Sequence, residues 1–259
     1  MSFFAFNRAL VRAPSRSVTQ GLRALDRGAP SFEGVQSEQH AYVRALEAAG
    51  MRVETLPPLE VFPDAIFVED TALVFPGAAI VLRPGAPSRR GEADEIAPPL
   101  EQRFARVLRL ERGAVDGGDV LATPRGVFIG VSARTDIEGA EALTGLLAEI
   151  GMAGRAVATP PGVLHFKSDC ALLDEETVLS TARLAVSGVF EGFHLVTTPG
   201  GEEGAANAVR VGPRVLVSDA FPRTAEALDR AGYDLVLLPT REIAKVDAGL
   251  SCLSLRWRG

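Results

Sequence analysis

The sequence predicts an α/β fold: a closed propeller of five ββαβ units with five-fold pseudosymmetry. Three observations carry that prediction. Helical stretches begin roughly 40 to 55 residues apart, the spacing of an internal repeat. Each is followed by a short β-prone run, and a pair of β-prone runs lies between successive units. Five such units bury their apolar faces best in a ring, which leaves no unprotected sheet edge.

The first helix is expected near 36–49. It carries Val35, Tyr42 and Leu46, stops at Gly50 and leads to a strand at 52–56. A second, near 91–104, precedes a strand at 107–110; Pro98-Pro99 should kink it or mark its true first turn. The third, near 138–150, stops at Gly151 before a strand at 155–158. A fourth, weaker stretch near 183–189 precedes 194–197, and a fifth, near 222–231, stops at Gly232 before 234–238. The paired β runs fall at 72–75 with 79–82, 120–122 with 127–131, 170–173 with 178–181, and 209–211 with 215–217. Ahead of Asp26, the first acid, stand Arg8, Arg12, Arg16 and Arg23. That pattern suits a transit peptide. The alternation from Phe6 to Arg12, ended by Pro14, instead reads as a strand of the fold. No linker interrupts the chain, so residues 1–259 are read as one domain.

With 47% apolar residues among 259, the chain can bury a full core. Its 33 acids against 27 bases give a net charge of −6, which argues against nucleic acid or an anionic membrane surface as partner. The longest apolar runs are strand-sized, far below the roughly 20 residues of a membrane span. Two cysteines are too few for a secreted disulfide framework. A cytoplasmic protein is expected. Of the 27 basic residues only Lys167 and Lys245 are lysines, and both stand near the candidate residues below.

Cys252 sits at the entry to a final apolar strand, where a free cysteine is most often a small buried hydrophobe. His165, in Leu164-His165-Phe166-Lys167-Ser168, is open to the same bland reading as a satisfied core histidine. Cys170 reads as core, and His40 and His194 as surface. Asp64, Glu69 and Asp70 surround an apolar stretch, but the odd separation of Asp64 and Glu69 requires a turn or bulge if they converge. Asp116 and Asp119 flank Gly117-Gly118, where backbone can approach a ligand closely. Ordinary Asp turn chemistry is the alternative, and the favoured one for Asp119. The loop from Arg83 to Arg90 is a rigid cationic segment of the kind that grips a carboxylate. Neither phosphate-loop glycine pattern occurs, and the Cys and His lack structural zinc spacing.

In order along the chain stand Phe67-Val68-Glu69-Asp70, Arg83-Pro84-Gly85-Ala86-Pro87-Ser88-Arg89-Arg90, Asp116-Gly117-Gly118-Asp119-Val120-Leu121, Ser132-Ala133-Arg134-Thr135, Leu164-His165-Phe166-Lys167-Ser168 and Lys245-Val246-Asp247 before Cys252. This set resembles the dimethylarginine dimethylaminohydrolases of the guanidino-group-modifying, or pentein, superfamily, from about residue 5 to the C-terminus. The resemblance implies a five-bladed α/β propeller and a cofactor-free, metal-free hydrolase. Such an enzyme turns methylated arginine into citrulline and an amine through a covalent thiouronium on cysteine. It further implies Cys252 as nucleophile, His165 as general acid and base, and Asp116 as the third catalytic carboxylate. Asp64, Glu69 and Asp70 fall at substrate contacts, Arg89 and Arg134 at the α-carboxylate, and Leu22 and Val246 at backbone contacts. The expected partner is a small cationic guanidino substrate; a homodimer is left open. Zn²⁺ bound to Cys and His should inhibit. Two rival readings remain at this point: an arginine deiminase of the same fold, and a catalytically silent scaffold with an unreactive Cys252.

Overall fold

The computed structural model describes residues 3–24 and 26–259. Strand β1 (Arg8–Arg12) is followed by helix α1 (Phe32–Ala48) and by β2 (Arg52–Leu56), which pairs parallel to β1. The same plan then repeats. In the second unit β3 (Ala72–Phe75) and β4 (Ala78–Val81) are antiparallel, α2 (Glu92–Glu101) crosses over, and β5 (Arg106–Arg109) joins β4 in parallel. The third comprises β6 (Val120–Thr123), β7 (Gly126–Val131), α3 (Ile137–Glu149) and β8 (Gly154–Ala158). The fourth has β9 (Cys170–Leu172), β10 (Thr177–Ser180), α4 (Ala182–Ala185) and β11 (His194–Thr197). In the fifth, β12 (Val209–Val211) and β13 (Arg214–Ser218) precede α5 (Pro222–Arg230) and β14 (Asp234–Leu238). Finally β15 (Leu255–Trp257) returns to pair antiparallel with β1, so the two ends of the chain share one blade and close the ring.

The core lies between blades. Each helix presses its apolar face against the strands of the preceding unit. Val35, Tyr42 and Leu46 of α1 meet Val211 and Leu216 of the fifth unit, and Ile96 and Leu100 of α2 meet Leu10 and Trp257 of the first. Leu143 and Leu147 of α3 meet Leu73 and Ile80. Leu184 of α4 meets Leu121 and Phe128, and Leu228 of α5 meets Leu173 and Leu179. One unit alone would leave that helix face wet, so burial itself favours closure of the ring.

Three expectations are corrected. The fourth helix is a single turn capped by Thr181 rather than a helix at 183–189. Pro98 and Pro99 occupy the last turn of α2, not its first, and the carbonyl of Glu95, which Pro99 cannot serve, faces Arg12 Nη2 at 3.5 Å. Closure also protects only the inner edges. The outermost strands β2, β5, β8, β11 and β14 are largely exposed, and charges such as Arg52, Glu54, Arg106, Arg155 and Asp234 blunt them against pairing. Among the described residues no helix is long and apolar enough to cross a membrane.

Candidate active site

Every inner strand of the ring is entered through a 3₁₀ turn. These are Val68–Thr71 before β3, Gly117–Asp119 before β6, Phe166–Ser168 before β9, Glu203–Ala206 before β12, and Leu250–Leu253 before β15. The five turns therefore occupy equivalent places in five repeats and crowd around the axis. Asp70 lies in the first, Asp116 caps the second, His165 caps the third, and Cys252 lies in the last. The repeat converts five remote segments into one cluster.

Eight of the residues singled out in the sequence line one narrow cleft: Leu22, Asp64, Asp70, Arg89, Arg134, His165, Val246 and Cys252. The chain does bend after Pro63 and enter a 3₁₀ turn instead of running as a strand, but Asp64 and Glu69 do not converge: Asp64 shares the cleft with Asp70, and Glu69 lies outside it. Asp116 and Glu69 stand elsewhere. Asp116 is fully buried behind the imidazole, its Oδ2 3.0 Å from His165 Nε2 and its Oδ1 accepting from the Gly85 N–H at 2.8 Å. Glu69 faces away from the cleft, into a cavity of about 380 Å³ along the ring axis. There it pairs with Lys167 Nζ at 2.6 Å and accepts from Ser251 Oγ at 2.7 Å.

The charges of the cleft are tightly partnered. Arg89 donates to Asp70, to both oxygens of Glu92, and to the carbonyls of Asp64 and Phe67. The cationic loop thus does grip carboxylates, but they are the protein's own, and one Nη1–H is left over. Arg134, by contrast, makes no side-chain hydrogen bond or ion pair among the described residues. Asp64 accepts from the Leu22 N–H at 3.0 Å and Asp247 from the Ala24 N–H, so two carboxylates hold the segment that roofs the cleft.

Protonation follows from this arrangement. Burial disfavours the charged imidazole, but Asp70, Asp116 and Asp119 outweigh it and raise the His165 pKa to about 9. Burial also opposes ionisation of Asp70, yet Arg89, His165 and the Gly118 N–H hold it at about 2. The Cys252 thiol is pushed up to about 12, first by burial and then by the negative charges of Glu69 and Asp70. At neutral pH the cleft is thus lined by an imidazolium and a protonated thiol.

Several contributors escaped the sequence reading. Asp119, taken for a turn residue, is fully buried; it accepts from Ser132, Thr135 and the Phe166 N–H at 2.8 Å, fixing the turn that carries His165. Gly117 and Gly118 are required by space: a Cβ on Gly117 would lie 1.9 Å from the Glu69 carbonyl oxygen, and one on Gly118 2.9 Å from the His165 ring. The predicted close approach is real, but it is to the protein. Asp70, Asp116 and His165 bring potential ligand atoms within 4.8 Å of one another and are the residues that would surround a cation. Arg89, Gly118 and Gly85 already satisfy those carboxylates.

A five-bladed ββαβ ring with thiol, imidazole and carboxylates gathered at one end of its axis is the architecture of the guanidino-group-modifying, or pentein, enzymes. Comparison with known proteins narrows the class. No family model matches the chain. A dimethylarginine dimethylaminohydrolase of Pseudomonas aeruginosa is 38% identical over 97% of this chain and 100% of its own length. One of Streptomyces coelicolor is 35% identical over 97% of each. The structure of the Pseudomonas aeruginosa enzyme, a cysteine-to-serine variant complexed with citrulline, superposes with a TM-score of 0.94 at 36% identity, covering 98% of this chain and 100% of that one. The chain belongs to the dimethylarginine dimethylaminohydrolase family.

Proposed function

We propose that this chain, acting as one catalytic domain over residues 1–259, hydrolyses Nω-methylated arginines (asymmetric dimethylarginine and monomethylarginine) to citrulline and dimethylamine or methylamine. The observation that carries the reading is the convergence of Cys252, His165, Asp64, Asp70 and the unengaged Arg134 on one cleft.

Asp64 and Asp70 bind the guanidinium edges and turn its carbon toward Cys252. Arg134 receives the α-carboxylate with its free fork, helped by the remaining Nη1–H of Arg89. Leu22 and Val246 supply backbone contacts at the mouth. The substrate's positive charge favours the thiolate that burial and the nearby carboxylates disfavour, and the thiol proton leaves to solvent. The Cys252 sulfur attacks the guanidinium carbon, forming the S–C bond. The C–N bond then breaks as the His165 imidazolium gives its proton to the departing amine, leaving an S-alkylthiouronium. Neutral His165 next takes a proton from water. The hydroxyl oxygen adds to the same carbon, the C–S bond breaks with its electron pair returning to the Cys252 sulfur, the O–H proton passes to solvent, and citrulline leaves. Asp116 holds the ring by Nε2 throughout, so Nδ1 is the nitrogen presented to amine and water. Glu69 contributes from behind, through Lys167 and Ser251.

The test is citrulline formation from asymmetric dimethylarginine and, in parallel, from arginine, with Cys252→Ser as control. Citrulline and dimethylamine from the methylated substrate, abolished in the variant, is the expected result. Ammonia and citrulline from arginine alone would replace the reading by a deiminase. No turnover of either substrate would return the silent-scaffold reading.

A further inference from the structure

We propose that Asn207 is a positioning residue for this reaction, holding the Cys252 turn and the His165 turn in register from behind the cleft. The inference rests on the roles given above to Cys252 and His165. Asn207 ends the 3₁₀ turn Glu203–Ala206, which itself supplies no group to the cleft lining. Its side-chain amide is engaged at every polar position. Nδ2 donates to the carbonyl of Lys167 at 3.1 Å and to Ser251 Oγ at 3.1 Å, while Oδ1 accepts from the Ser251 N–H at 2.9 Å. Lys167 is two residues past the base, and Ser251 adjoins the nucleophile.

The contact is one side of a closed ring. Ser251 Oγ donates onward to Glu69 Oε2 at 2.7 Å, and Glu69 Oε1 pairs with Lys167 Nζ at 2.6 Å. Asn207, Ser251, Glu69 and Lys167 thus join three of the turns that build the cleft. An independent sign of the same design is Gly249. Its φ of −130° is open to any residue, so conformation does not require glycine there. Space does: a Cβ would stand 2.4 Å from Asn207 Cγ and 2.5 Å from its Oδ1. Gly249 also supplies the carbonyl that accepts from the Cys252 N–H at 3.3 Å. Only an amide of this length offers two donors and an acceptor here. Asp keeps the shape but loses both donors and sets a second carboxylate near Glu69.

Because attack needs sulfur and imidazole aligned to within a fraction of an ångström, loosening this tie should slow chemistry more than binding. In Asn207→Ala, kcat should fall about 10- to 100-fold with KM within about threefold. Asn207→Asp should be no better. Gly249→Ala should reproduce the loss, yet add less than about threefold on the Asn207→Ala background, since both changes break one contact. A readout independent of turnover is alkylation of Cys252 by iodoacetamide, with Cys252→Ser as blank. Freed from the tie, the thiol should react at least about fivefold faster in Asn207→Ala at a temperature well below its melting transition. Lower melting temperature with wild-type kcat, or alkylation rates equal to wild type, would overturn the proposal. Absence of turnover in the wild-type protein would remove the proposed reaction, while the alkylation ratio still decides the role of Asn207. Should Asn207→Ala not fold, Asn207→Asp and Gly249→Ala carry the test.

Discussion

The two ends of the ring axis are made by the same turns and differ in kind. One end is the cleft, crowded with Asp64, Asp70, Arg89, Arg134 and His165 around Cys252. The other is the axial cavity, walled by inner-strand side chains such as Phe75, Leu121, Leu172, Val209 and Trp257. Neighbours in sequence part company at this divide. Asp70 turns to the cleft while Glu69 turns to the cavity, and Cys252 to the cleft while Ser251 lines the cavity. A turn of three or four residues therefore builds the reactive face and its floor at once. The difference teaches that burial alone does not set these cysteines apart; their neighbours do. Cys252 and Cys170 are both buried, but of the two only Cys252 shares its cavity with a histidine and with Asp64 and Asp70.

The sharpest way to break the comparison is to exchange the two sides of one turn. Cys252→Ser should reduce citrulline formation at least about 10³-fold with the melting temperature almost unchanged, whereas Ser251→Ala, on the floor, should cost no more than about tenfold. Equal losses would erase the distinction. Next in size, Asp116→Asn should lower kcat about 10²-fold. It should also move the alkaline limb of the pH–rate profile downward, because one of the charges that raises the His165 pKa is gone.

The same charge has a stability counterpart. The folded pKa of His165, about 9, lies above its ordinary 6.5. Its stabilising contribution is therefore complete below pH about 6.5 and is lost as pH rises through about 9, to the extent of a few kcal/mol. Thermal melts from pH 6 to 10 should show that decline in the wild type, and a flatter profile in His165→Gln. Smallest in its effect on activity is Leu172→Ala on the cavity wall. It should destabilise by about 2 kcal/mol and leave kcat per folded molecule unchanged. A loss of turnover there would show that the apolar wall of the cavity, and not only its Glu69–Lys167–Ser251 floor, is coupled to the chemistry.

Much of this architecture was legible because its signals are local and repeated. The helix–strand rhythm located all five units, and strands β2, β11 and β14 fall where periodicity places them. The fourth helix misled because Thr181 can nucleate a turn that Gly188 and Gly192, both at positive φ, do not extend. Cys252, His165, Asp64, Asp70 and Arg134 were picked out through the motifs that resemble the dimethylarginine dimethylaminohydrolases, since taken singly Cys252 and His165 read as ordinary core residues. The direction in which each side chain points was not legible. Odd spacing alone could not say that Asp64 and Asp70 face the cleft while Glu69 faces the cavity, since a 3₁₀ turn reorients successive residues in a way no strand or helix period describes.

By itself, then, the sequence determined the repeat, a closed ring and, through its ordered motifs, the resemblance that points to Cys252 and His165. The pairing of the two chain ends in one blade came from the structure. Hydrophobic periodicity and composition act over a few neighbouring residues, so they survive in a linear reading. Only the tertiary structure decided that Arg89 is held by Asp70 and Glu92 while Arg134 is free, that Asp119 secures the His165 turn, and that Asn207 ties that turn to the Cys252 turn. Those outcomes depend on hydrogen bonds between residues tens of positions apart, and their geometry exists only once the five turns meet at the axis.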